Sequence, residues 1–118
     1  MARRLTVVQL LPALESGGVE RSTLEIAAAL VAAGHDSHVV SAGGRLVSQL
    51  EAAGSTHHAL DIGAKSLATP LKIFALRRLL RTLKPDVVHA RSRLPAWVAL
   101  GALRGMNPRP AFVTTVHG

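Results

Sequence analysis

Leu5-Thr6-Val7-Val8-Gln9-Leu10-Leu11, then the turn-rich Pro12 to Gly18, then Val19 to Ala33 closed by Gly34, is the stretch whose reading decides the fold. The first seven residues are apolar and rich in branched side chains, which predicts a buried strand. Pro12 and the pair Gly17-Gly18 mark a loop. From Val19 to Ala33 the residues Val19, Ile26, Leu30 and Ala33 keep helical spacing, with Thr23 and Ala27 between them. Ser16 or Gly17 is placed to cap that helix, Glu20 suits its positive end, and Gly34 stops it. Met1-Ala2-Arg3-Arg4 before the apolar run has the look of a signal peptide. No small-residue cleavage site follows, and the chain continues Glu15-Ser16-Gly17-Gly18. The run therefore reads as the first strand.

The alternation continues outward. Strand two is His38 to Ser41, with Asp36 as an earlier possible start. Ala42-Gly43-Gly44 turns into a short helix, Arg45 to Ala53, ended by Gly54. Thr56 to Ile62 reads as strand three and Gly63 to Thr69 as a loop. Pro70 suits a helix start, and Leu71 to Leu83 is amphipathic, ended by Lys84-Pro85. Asp86 to Ala90 is strand four, Arg91 to Leu94 a loop, and Pro95 to Arg104 a helix. After the connector Gly105 to Pro110, Ala111 to Val116 is strand five, followed by His117 and Gly118. Strands alternating with helices predict an α/β fold, a Rossmann-like parallel sheet covered on both faces. With right-handed crossovers the expected strand order is 3-2-1-4-5.

Length and composition exclude whole classes. At 118 residues one domain is expected, and 48% hydrophobic residues suffice for a packed core. With no cysteine there is no disulfide scaffold, thiol nucleophile or thiolate metal site. No stretch approaches the ~20 apolar residues of a spanning helix, so a soluble, cytoplasmic protein is expected. The net charge of +7 attracts phosphates, nucleic acid or anionic lipid. Only two Phe and one Trp, with no Tyr, leave few platforms for stacking bases. No nucleic-acid partner is expected.

In an open parallel sheet, ligands bind at the carboxyl ends of strands where the order reverses. Here that is between strands one and four. Three segments converge there: Gly17-Gly18, His89 to Arg93, and His117. The glycine pair lets a ligand approach the backbone at a positive helix end. Arg91 and Arg93 flank Ser92 and suit an anionic or phosphorylated ligand. His117, at a strand's carboxyl end, could donate to a ligand oxygen or act as acid or base. His89, inside strand four, reads as a hydrogen-bonded core histidine. His35, His38, His57 and His58 lack metal-site spacing and read as strand-flank or surface residues. The G-x-G-x-x-G and G-x-x-x-x-G-K-[ST] patterns are both missing, which argues against a dinucleotide-dependent dehydrogenase or a P-loop hydrolase. Strand one also lacks the acidic cluster of a phospho-receiver domain. On the Leu71 to Lys84 helix, Arg77, Arg81 and Lys84 keep i, i+4, i+7 spacing, a basic stripe able to meet an anionic membrane surface.

Gly17-Gly18-Val19-Glu20-Arg21, Ala33-Gly34-His35, Lys84-Pro85-Asp86-Val87-Val88-His89-Ala90 and Thr114-Thr115-Val116-His117-Gly118 resemble, in that order, the amino-terminal half of family 4 glycosyltransferases. These are retaining enzymes of the two-domain GT-B fold. Arg91-Ser92-Arg93-Leu94-Pro95-Ala96-Trp97 is similar to a subset tied to lipopolysaccharide and other envelope glycans. The resemblance implies a hexosyltransferase that uses a nucleotide sugar and a glycan or glycolipid acceptor, with no metal or other cofactor. It gives His117 a catalytic role and makes Gly17, Gly18, Arg91, Ser92 and Arg93 substrate-binding. Arg91 stands where many relatives carry a second histidine, which suggests a more anionic acceptor pocket. It also implies peripheral contact with the inner membrane through the Leu71 to Lys84 helix. Residues 1–118 would then be an incomplete, acceptor-side domain without the nucleotide-sugar domain, inactive alone, with apolar surface exposed near Ala111 to Val116 and prone to self-association. The competing expectation is a stand-alone binding module for a phosphorylated or anionic ligand.

Overall fold

A computed structural model describes residues 4–12, 18–62, 69–91, 93–106 and 110–114. Nine elements alternate along it: β1 (Thr6–Leu10), α1 (Gly18–Ala32), β2 (Asp36–Ser41), α2 (Val47–Ala52), β3 (Thr56–Ala59), α3 (Thr69–Leu83), β4 (Val87–Ala90), α4 (Arg93–Leu103) and β5 (Ala111–Thr114). The five strands are parallel and lie in the order β3-β2-β1-β4-β5, as the alternation predicts. Val8 pairs with His38 on one side and Val88 on the other, so β1 is central.

Both faces of the sheet are covered, unequally. Val8, Leu10, Val40, Val88 and Ala90 pack with Leu76 and Leu80 of α3 and Val98, Ala99, Ala102 and Leu103 of α4. This is the larger core. On the other face Leu11 and Val39 pack with Ala27 of α1 and with Leu46 and Leu50 beside and within α2. The strand residues that would extend this smaller core are polar: Gln9, Ser37 and Ser41 are all buried. Their polar atoms need partners, because an unpaired buried polar group costs about 1–3 kcal/mol. Ser37 and Ser55 meet at 2.9 Å, and Ser41 meets His57 Nε2 at 2.7 Å.

Helix ends are set by local chemistry. His35 N donates to the Leu30 carbonyl at 2.9 Å and Gly34 N to the Val31 carbonyl at 3.0 Å, with Gly34 at φ 87°. That is the two-bond closure which a left-handed glycine permits.

Four expectations from sequence need correction. Strand three ends at Ala59 and not at Ile62, because its partner β2 ends at Ser41, opposite Ala59. The stretch Arg91 to Leu94 is not all loop, because α4 starts at Arg93. His38 is not a surface residue. It is 7% exposed, with Nε2 3.0 Å from Asp36 Oδ2 and Nδ1 3.0 Å from His58 Nε2. Arg77 does not belong to an open basic stripe. Its Nε donates to the Ala102 carbonyl at 3.0 Å and Nη2 to the Gly101 carbonyl at 2.7 Å, satisfying groups at the end of α4.

Candidate functional site

The sheet order reverses between β1 and β4, so the crevice lies beyond Leu10 and Ala90. The chain leaves β1 to enter α1 at Gly18, and leaves β4 to enter α4 at Arg93. Two helix amino termini therefore face the same sheet edge, and their dipoles favour an anion there. Gly18 is exposed, and a Cβ built on it meets nothing within 4 Å. Its value is open backbone, not a tight fit. Gly17, Ser92 and His117 lie outside the described residues, as does the side chain of Arg93.

Arg91 is only 4% exposed. Its amide donates to the Leu10 carbonyl at 2.8 Å, extending the β1–β4 ladder by one bond. Its Nη1 donates to Gln9 Oε1 at 3.1 Å and Nη2 to Ser22 Oγ at 2.8 Å. Gln9, fully buried, donates onward from Nε2 to the Thr23 carbonyl at 3.3 Å. Among the described residues the Arg91 Nε is buried without a partner. Burial pushes the guanidinium below its ordinary pKa, yet an arginine stays charged. This is a cation under the start of α1, held by neutral acceptors. His89 is half-buried and engaged by neighbours of its own.

Gln9 and Ser22 carry no motif and were not singled out by sequence. The available signal was Gln9, the one amide in an otherwise apolar run. The histidines form a second polar group, on β2 and β3. Burial, and then the charges of His38 and His57, lower the pKa of His58. Burial lowers His57, against a smaller opposing effect of Glu51. No group of three or more His, Cys, Asp or Glu among the described residues is placed to hold a metal ion.

Comparison with known proteins adds family evidence. A family profile described as Glycosyltransferase Family 4 matches residues 16–118. The chain is similar to a glycosyltransferase from Rickettsia africae ESF-5 of known crystal structure, at 35% identity and a TM-score of 0.85, over 99% of this chain and 31% of that one. It shares its fold with CalG4, the calicheamicin glycosyltransferase, at 20% identity and a TM-score of 0.63, over 99% of this chain and 32% of that one. It thus spans about a third of each of these two proteins. No curated protein sequence matches.

Proposed function

The chain belongs to Glycosyltransferase Family 4, and on that premise we propose that it is the acceptor-side part of a retaining hexosyltransferase. The donor is a nucleotide sugar and the acceptor a bacterial envelope glycan or glycolipid of the lipopolysaccharide type. The site is the β1–β4 edge. Gly17 and Gly18 approach the donor diphosphate, Ser92 and Arg93 bind acceptor, and His117 faces the reacting sugar. Neither metal nor other cofactor is needed. The 118 residues alone turn over nothing, because the other half of the cleft belongs to a second domain.

The observation that carries the lipid side of this reading is the outer surface of α3 and α4. Leu71, Phe74, Trp97 and Leu100 are 70%, 63%, 70% and 40% exposed. Arg78, Arg81, Lys84 and Arg104 are exposed around them, and neither helix contains an acidic residue. Apolar anchors set among cations suit a surface of anionic lipid. No helix among the described residues is long and apolar enough to cross a membrane. The contact proposed is peripheral, on the cytoplasmic side of the inner membrane.

Trp97 is the single tryptophan, so its fluorescence reports this face directly. Vesicles containing anionic phosphatidylglycerol should shift its emission to the blue. Pure phosphatidylcholine vesicles should not, and salt should reverse the shift. An unchanged spectrum would remove the membrane from the proposal. The activity itself is tested by screening sugar nucleotides against glycolipid acceptors with the whole polypeptide that carries this chain. The second reading, a binding module without chemistry, is favoured by the amino ends of α1 and α4 meeting at one sheet edge, which suits an anion whether or not any group is transferred. Ligand binding without transfer to any acceptor would select it.

A further inference from the structure

Arg91 connects three elements at one point. Its backbone prolongs β4 beside β1, Nη1 holds Gln9 of β1, and Nη2 holds Ser22, one turn inside α1. Gln9 ties to the same turn through the Thr23 carbonyl. Thr23 in turn donates to the Val19 carbonyl at 2.8 Å, binding the first turn to the second. Every bond in this cluster points at where α1 begins.

Holding a guanidinium there is costly. It sits 4% exposed, with one nitrogen unpartnered among the described residues, and the amino end of a helix disfavours a cation. Among the described residues no carboxylate pairs with it, and a buried charge without an opposite charge is not how stability is gained. The arrangement therefore calls for a reason other than packing. Little guanidinium surface is left for a ligand, so direct contact is a poor one. Geometry is a better one. The planar fork spans two acceptors on two elements at fixed angles, and so fixes α1 relative to the sheet.

We propose that Arg91 is a positioning residue, which clamps the second turn of α1 to the ends of β1 and β4 and so sets where Gly18 and the first amides of α1 stand in the crevice. The inference rests on the reading of that edge as the transfer site. It replaces direct acceptor contact as the role of this arginine.

The two roles predict different kinetics in the whole polypeptide. Lysine carries its charge at a point and cannot reproduce the fork. As a clamp, Arg91→Lys lowers kcat by about 10-fold or more, since small misplacements cost up to ~100-fold, and leaves the acceptor KM within about twofold. Ser22→Ala, which truncates a half-buried hydroxyl and leaves the sheet intact, lowers kcat less. The double variant is no worse than Arg91→Lys alone, because both remove one interaction. A raised acceptor KM at unchanged kcat, or additive losses, would overturn the clamp. Amide exchange on this chain decides it independently of turnover. In Ser22→Ala the amides of Thr23 to Ala27 should exchange about 10-fold faster while those of α3 stay unchanged. Acceleration in both helices, or in neither, would sink the proposal. If the polypeptide transfers no sugar, the transferase reading fails, and the exchange experiment still decides the clamp.

Discussion

Gly54 is the position where one residue's conformation and its surroundings both forbid a side chain. It sits at φ 97°, and a Cβ there would lie 2.8 Å from Val31 Cγ1. Gly34, at φ 87°, shares the backbone constraint but has nothing within 4 Å of that point. The pair separates strain from clash. Gly34→Ala should cost about 1 kcal/mol, the usual cost of forcing a side chain into the left-handed region. Gly54→Ala should cost about 2–3 kcal/mol, with the contact added. Urea unfolding of the two variants measures the difference, and equal losses would show that Val31 yields freely. Lys84 is the converse, a non-glycine residue at φ 50° closing α3. Residues of this kind are legible in sequence: Gly34 and Gly54 both mark helix stops. The Arg91 clamp is not, because its partners stand 82 and 69 positions away. No local pattern marks a bond of that span.

At the scale of elements, β3 is an edge strand of four residues, and two of them are the histidines that hold it to β2. His58 meets His38, and His57 meets Ser41. The His38–His58 bond needs a lone pair on one ring, so it cannot survive with both protonated. Asp36 steadies His38, with Arg4 3.9 Å from that carboxylate, and Glu51 favours charge on His57. Burial nevertheless lowers both His57 and His58 from the ordinary 6.5. The unfolded chain then binds protons more readily than the fold. Their contribution to stability is complete above pH 6.5 and is lost as the pH falls through the lowered values. The urea midpoint should therefore drop between pH 7.5 and 5.5, and the drop should shrink in a His57→Asn, His58→Asn double variant. A slope identical in the two proteins would clear the histidines. The sequence starts β3 correctly at Thr56 but runs it to Ile62, past its end at Ala59, and it misses the chemistry, because no local pattern shows that His38 is buried against His58. Helix α3 differs from its sequence reading in the same way: spacing puts Arg77 on a basic stripe, whereas the end of α4 supplies it with carbonyls.

At the scale of the whole molecule, strand order was fully legible, because alternation and handedness admit few sheets. Its consequence is two exposed apolar regions of different character. The outer face of α3 and α4 sets its aromatic side chains among arginines. The edge strand β5, Ala-Phe-Val-Thr, has no charge, and Val113 on it is 44% exposed. Two copies meeting through the first region would bring like charges together. Two copies meeting through β5, which among the described residues pairs only with β4, would join strand edges at no electrostatic cost. Any self-association of this chain should therefore run through β5 and persist at high salt, while binding to anionic vesicles runs through α3 and α4 and weakens with salt. Sedimentation equilibrium at low and high salt tests the first half. Val113→Lys should return the chain to a monomer, since a charged edge resists pairing, and should leave the vesicle-induced shift of Trp97 intact. A concentration-independent monomer in the wild type would refute association at β5. Loss of both behaviours in the one variant would mean that the two regions do not act separately.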